Sequence, residues 1–240
     1  MKKRKTLGLL VLLLSVLGSY PVFAQDDMST TNDTIVSNQT TNVESCATYE
    51  DFIANNWKTV GPVEVKTKSR SRQFWWGGKD FKFDSEDKAV KTQLKKETFA
   101  IMYADTLLLN TRFYKDRGTK FGNGYARALP MVDSRFIMIY FNVSEIASRQ
   151  TVGGMFGLLG SLAVAASSSA IMNENVCYII TPGQNKALII DDKKMKELMA
   201  DKPDLLEKYM SVGKKKRSNA ENVVPLLEEA GLIHRHNPVQ

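Results

Sequence analysis

Eight short segments rich in β-branched and aromatic residues, at 60–72, 79–83, 99–103, 106–113, 125–131, 135–143, 176–181 and 187–190, follow one another with Gly, Asn and Asp turns between most of them. Strands spaced this closely pair as antiparallel hairpins, because parallel pairing needs a long crossover between each pair. Helical patterning brackets the strands. At 48–57, Thr48 is an N-cap candidate with Asp51 three residues on, and Phe52, Ile53 and Trp57 share one side of a short helix. After Asp191 or Asp192, one helical face carries Met195, Leu198 and Met199. Pro203 then opens a second helix presenting Leu205, Leu206, Tyr209 and Met210, ended by Gly213. A third, near 220–230, buries Val223, Val224, Leu227 and Ala230 and stops at Gly231. The expected class is therefore α+β: a mainly antiparallel sheet or partly open barrel, with a short N-terminal helix, a small-residue helix inserted between strands, and C-terminal helices.

The first 24 residues read as a signal peptide: a basic start, an apolar run from Leu7 to Leu17, and Val22-Phe23-Ala24 before Gln25. The expected layout is this leader, a disordered polar arm over 25–45, and one α+β domain over 46–240 with a glycine- and alanine-rich insertion at 152–172. The net charge of +7 is largely the leader's, since Lys2, Lys3, Arg4 and Lys5 lie in it; 29 basic residues then face 26 acidic ones, a net of +3. That small surplus, in an exported chain with no binding module, argues against nucleic acid as a partner. The two cysteines, Cys46 and Cys177, are too few for a disulfide scaffold or a thiolate metal cluster. In an oxidising compartment they form either one bridge, which adds about 4 to 5 kcal/mol by the chain-entropy account, or two buried thiols.

Between Arg149 and Glu174 no residue is charged, and Gly153, Gly157, Ser161, Ala165 and Ser169 recur at every fourth position. On a helix these make one smooth stripe of glycine-zipper type, along which another backbone can approach closely. The stripe suits packing on the sheet, self-association into a homo-oligomer, or contact with a membrane. A single span would separate two strands that belong to one sheet, and two limbs of about ten residues reach only about 15 Å each, too short to cross a hydrocarbon layer of about 30 Å.

Lys66, Lys68, Arg70 and Arg72 alternate with Val65, Thr67, Ser69 and Ser71, so a strand aligns four cations on one face, followed by Phe74, Trp75, Trp76 and two glycines. Cations beside Trp75 and Trp76 can hold an anionic glycan or lipid headgroup. The same pattern also arises where lysines protect a sheet edge and tryptophans fold back into a core.

Catalytic chemistry has little to draw on. His234 and His236 are the only histidines and lack further metal ligands nearby in sequence; no Gly-x-Ser-x-Gly elbow is present; and Gly122-Asn123-Gly124 reads as a turn. The carboxylates Asp80, Asp84, Glu86 and Asp87 cluster as glycosidase acids can, or simply form a solvated turn. No metal site and no cofactor is indicated.

A helix ending in Trp57, the segment Asp105-Thr106-Leu107-Leu108-Leu109-Asn110, the glycine- and alanine-rich stretch, and the tail from Leu198 through Pro203-Asp204-Leu205-Leu206-Glu207-Lys208-Tyr209 resemble an uncharacterised family of exported Gram-negative envelope proteins with no assigned activity. The resemblance implies a periplasmic or outer-membrane location and a single sheet-plus-helix domain; it supplies no catalytic residue and no ligand. Asp33-Thr34-Ile35 and Asp105-Thr106-Leu107 are similar to acceptor sites for O-glycosylation in such bacteria, with Thr34 the better placed. The functional expectation is a non-enzymatic envelope protein acting through 152–172. The alternative is a soluble module binding an anionic glycan or lipid headgroup through 66–72, Trp75 and Trp76.

Overall fold

The computed structural model describes residues 34–69, 73, 78–142, 145 and 174–234. In chain order the strands are β1 (Thr34–Cys46), β2 (Lys58–Lys68), β3 (Phe81–Asp84), β4 (Ala100–Tyr103), β5 (Thr106–Asn110), β6 (Lys115–Asp116), β7 (Thr119–Lys120), β8 (Tyr125–Pro130), β9 (Phe136–Tyr140), β10 (Val176–Ile180) and β11 (Ala187–Ile189). Among the described residues the helices are α1 (Tyr49–Ile53), α2 (Lys88–Lys96), α3 (Asp192–Leu198), α4 (Pro203–Ser211) and α5 (Ala220–Glu229). Nine strands form one antiparallel sheet in the order β11-β10-β9-β8-β3-β2-β1-β4-β5, and β5 also pairs with β8. The sheet is thus partly ring-like but not a barrel, because β3 and β8 share a single residue pair, Phe81 with Tyr125.

Burial alternates with period 2 where a strand has one covered face, as over Val63–Lys66 of β2. On β10 all five residues are buried, since both faces are covered. Val176, Tyr178 and Ile180 enter a cluster with Phe52, Phe99, Phe136 and Tyr140. Cys177 and Ile179 face a second cluster built by Met195, Met199, Tyr209, Val223 and Leu227 of the C-terminal helical region. A third cluster lies within the ring-like part, where Val43, Val60, Val63, Val65, Phe83, Ile101 and Leu108 meet Leu94 of α2.

The helix signals in the sequence are realised by specific caps. Thr48 and Asp51 form the reciprocal capping box of α1, Asp191 caps α3 through the Lys194 N–H, Pro203 starts α4, and Gly231 takes a positive φ of 69° just beyond α5. Ile53 departs from its expected place and is 62% exposed, because α1 is too short to turn it under with Phe52.

The polar arm expected through residue 45 is corrected from Thr34 onward, where the chain is strand β1, antiparallel to β2 from Thr34 opposite Lys68 to Ser45 opposite Lys58. The partner strand supplies the ladder that its own sparse apolar residues could not predict. Thr34 is therefore in a paired strand rather than a mobile arm; 25–33 lie outside the described residues. Register shifts in this pair around Asn42 leave Gly61 and Pro62 in a bulge. Proline, with no N–H to donate, is tolerated there, and a Cβ on Gly61 would lie 2.3 Å from Asn42 Oδ1. The strand expected over 106–113 ends at Asn110, giving way to a 3-10 turn at Thr111–Phe113. Helix α2, not anticipated in the charged stretch after Asp84, is capped by Asp87, whose carboxylate accepts from the Ala89 and Val90 N–H groups.

Candidate functional site

The basic row on β2 does not stand as a free cationic face. β2 lies between β1 and β3 rather than at an edge, so its lysines do not guard one. Lys66 pairs with Glu64 at 2.8 Å and reaches Asp84 at 3.4 Å, and the hydrogen bond to Glu64 leads the interactions that raise its pKa. The strand ends at Lys68, whose carbonyl accepts from the Gln73 side chain at 3.1 Å. Arg70, Arg72, Trp75 and Trp76 lie outside the described residues.

Asp84, unremarked in sequence beyond its place in a carboxylate cluster, is the centre of a lysine constellation. Its side chain is 13% exposed and meets Lys91 at 2.7 Å, Lys66 at 3.4 Å and Lys82 at 3.5 Å. Burial alone would raise its pKa; the Lys91 hydrogen bond, the Lys82 charge and the Ser85 N–H outweigh that and hold it down at about 2. A cleft of about 220 Å³ opens beside it, lined by Lys82, Lys91 and Lys95, with Phe83, Leu94 and Tyr125 as apolar walls. Sequence reading missed Lys91 and Lys95 because it missed α2; Lys82 lay in the strand expected over 79–83 but had no partner there to single it out. The available signal was Val90 and Leu94 at helical spacing, with Lys91 and Lys95 following each by one position.

The position of α2 over this cleft is set by Asn110, 1% exposed. Its amide donates to the carbonyls of Leu94 at 3.3 Å and Thr98 at 2.9 Å, and its Oδ1 accepts from the Arg112 N–H at 3.1 Å. The Tyr125 hydroxyl also donates to the Leu94 carbonyl, at 2.5 Å.

Gly153, Gly157, Ser161, Ala165 and Ser169 lie outside the described residues, as does the whole of 152–172, but the strands on either side of that segment do not. β9 and β10 pair antiparallel with Tyr140 opposite Val176, so the chain leaves and re-enters the sheet at adjacent points of one rim. That rim is tied to the β6–β7 hairpin. Arg117 pairs with Glu145 at 2.5 Å and Asp116 at 3.3 Å; the Asn142 amide donates to the Tyr178 hydroxyl, which in turn donates to Asp116. The hydrogen bond to Glu145 leads in driving the Arg117 pKa upward.

Cys46 and Cys177 are both buried, and neither is in a disulfide. They belong to different clusters, with Cys177 on the face of β10 opposite to Tyr178 and Cys46 packed with the Tyr178 side, so the single-bridge option is not realised. Burial first, then the nearby charges of Asp51 and Glu44, push the Cys46 thiol up to about 12, which keeps it protonated. His234 is exposed and its N–H donates to the Pro130 carbonyl at 3.2 Å, so the chain is anchored there; His236 is outside the described residues. Among the described residues, no group of three or more His, Cys, Asp or Glu side chains is placed to hold a metal ion, and no helix is long and apolar enough to cross a membrane.

No curated protein and no solved structure matches the chain. A family model does, over residues 44–234, which takes in β2 to β11 and helices α1 to α5 with the end of β1. The chain belongs to this family, the family of unknown function DUF6563.

Proposed function

We propose that this chain is an exported, non-enzymatic protein of the Gram-negative cell envelope, whose sheet-and-helix body carries 152–172 as a pendant contact element for a membrane or a second copy of itself. The observation that carries the reading is the Tyr140–Val176 pairing, by which the chain leaves β9 and re-enters β10 at adjacent points of one rim. A single membrane pass is incompatible with that pairing. An insertion rooted this way can dip into an interface or pack against its counterpart, and its uncharged composition and small-residue stripe suit either. The leader supports export and the periplasm or outer membrane as the location. The alternative contact, an anionic glycan or lipid headgroup held by Lys66, Lys68, Arg70, Arg72, Trp75 and Trp76, has less support because Lys66 is already paired on its own sheet.

Because Tyr140 and Val176 are paired neighbours, the chain between them can be shortened, with 152–172 replaced by a short Gly-Ser link, without straining β9 or β10. Wild type should resist alkaline extraction from the membrane fraction or sediment as an oligomer. The deletion variant should do neither, while keeping its circular dichroism spectrum and melting temperature. A deletion variant that folds normally and keeps the location and assembly state of wild type would end this reading.

A further inference from the structure

Helix α2 places Lys91 and Lys95 one turn apart above Leu94, and β3 brings Lys82 up beside them, so three ammonium groups line one cleft of about 220 Å³. Their arrangement is held from below. Asp84 takes Lys91 and Lys82, and since an ammonium has three donors, each retains hydrogen-bonding capacity beyond this contact. Both side chains remain about half exposed, at 51% and 54%, while Asp84 is sunk at 13%. Among the described residues Lys95 has no acidic partner. The carboxylate therefore gathers the cations without neutralising them: three positive charges stand against one negative along the cleft wall. Phe83, Leu94 and Tyr125 provide an apolar surface beside them, and Asn123, whose Oδ1 accepts from Arg112, leaves its amide NH₂ at the rim.

We propose that this cleft between β3 and α2 is a binding site for a small phosphate-bearing ligand, with Lys82, Lys91 and Lys95 contacting the phosphate. Lysine favours this class. A planar carboxylate is best matched by the fixed fork of arginine, whereas separate ammonium groups act as point charges around a tetrahedral oxyanion. The volume limits the rest of the molecule. It lies below the roughly 300 to 1,000 Å³ of sites for drug-sized ligands, so a phosphate on a short body such as glycerol fits and a nucleotide does not. The phosphate can belong to a soluble ester or to a lipid headgroup. This site is separate from 152–172 and does not rest on the function proposed for that segment.

The purified chain is titrated calorimetrically with glycerol 3-phosphate and with inorganic phosphate, and sedimented with phosphatidylcholine vesicles with and without phosphatidic acid. Binding should weaken with added salt, and Lys91→Gln/Lys95→Gln should reduce affinity tenfold or more. Lys214→Gln/Lys215→Gln, a remote pair with the same loss of charge, should change it less than twofold. Lys95→Gln alone breaks no ion pair among the described residues, so its loss of affinity in a chain of unchanged melting temperature reports the site and not the fold. Site-dependent binding of the soluble ester identifies a free ligand; site-dependent binding of phosphatidic acid vesicles alone identifies a headgroup. Binding of none of the probes, or equal losses in the two double variants, overturns the proposal. So does vesicle binding that disappears with the 152–172 deletion but survives Lys91→Gln/Lys95→Gln, with no binding of the soluble esters.

Discussion

Two asparagines, Asn110 and Asn219, are each only 1% exposed, yet they should respond in opposite ways to truncation. Asn110 joins α2 to β5 and the turn after it through three hydrogen bonds, to Leu94, Thr98 and Arg112. In Asn110→Ala the Leu94 carbonyl keeps the Tyr125 hydroxyl, so its loss is small. The Thr98 carbonyl loses the Asn110 amide, and Thr98 is buried, which costs about 1 to 3 kcal/mol. The Arg112 N–H, in an exposed residue, loses a cap worth about 1 kcal/mol. The expected loss is about 3 kcal/mol, or about 6 to 12 °C in melting temperature for a chain of this size. Asn219 is at the cap position of α5, but among the described residues neither its side-chain amide nitrogen nor its side-chain oxygen has a partner. Its burial is already a cost in the native chain, so Asn219→Ala should lie within about 0.5 kcal/mol of wild type or be more stable. Urea and thermal unfolding followed by circular dichroism on both variants measure the contrast. If Asn219→Ala loses as much stability as Asn110→Ala, hydrogen-bond satisfaction is not what separates the two sites.

Acid should act on the lysine constellation through Asp84. Its folded-state pKa of about 2 lies below the ordinary 3.8, so its contribution is complete above about pH 4 and fades as the pH falls towards 2. Asp84→Asn should therefore lose about 1 to 2 kcal/mol at pH 7, with the gap to wild type closing on acidification in urea unfolding; a gap independent of pH would refute the assignment. Cys46 and Cys177 should give the same electrophoretic mobility with and without reductant, and thiol titration should count two groups promptly in denaturant but react slowly in the native chain. A mobility shift on reduction, traced to one chain, would show that they are bridged.

Where local sequence carried its own reason for a structure, that structure was legible. Thr48 and Asp51 satisfy each other's capping needs within one turn, and the periodic Met195, Met199 and Val223, Leu227 pairs need only a sheet to cover. The uninterrupted apolar run Val176–Ile180 likewise announces a strand buried on both faces. β1 was illegible because Thr, Ser and Asn dominate it and its ladder is provided by β2. α2 was illegible because only Leu94 of its nine residues is buried, so most of its sequence reads as solvated charge.

The sequence by itself determined the α+β class, the run of antiparallel strands, the helix boundaries at the C-terminus and apolar residues such as Met195, Met199, Tyr209, Val223 and Leu227 that face the sheet, though Ile53 and Met210, expected on such faces, are exposed; these features depend on period and on neighbours a few positions apart. Tertiary structure alone decided what lies opposite what. It set Cys46 and Cys177 on different sides of the sheet, brought Lys66, Lys82 and Lys91 onto one carboxylate, and placed Tyr140 beside Val176 so that the chain leaves and re-enters the sheet at one rim. Each of these is a contact between residues distant in the chain, and its partner is chosen by sheet register, which no local pattern encodes.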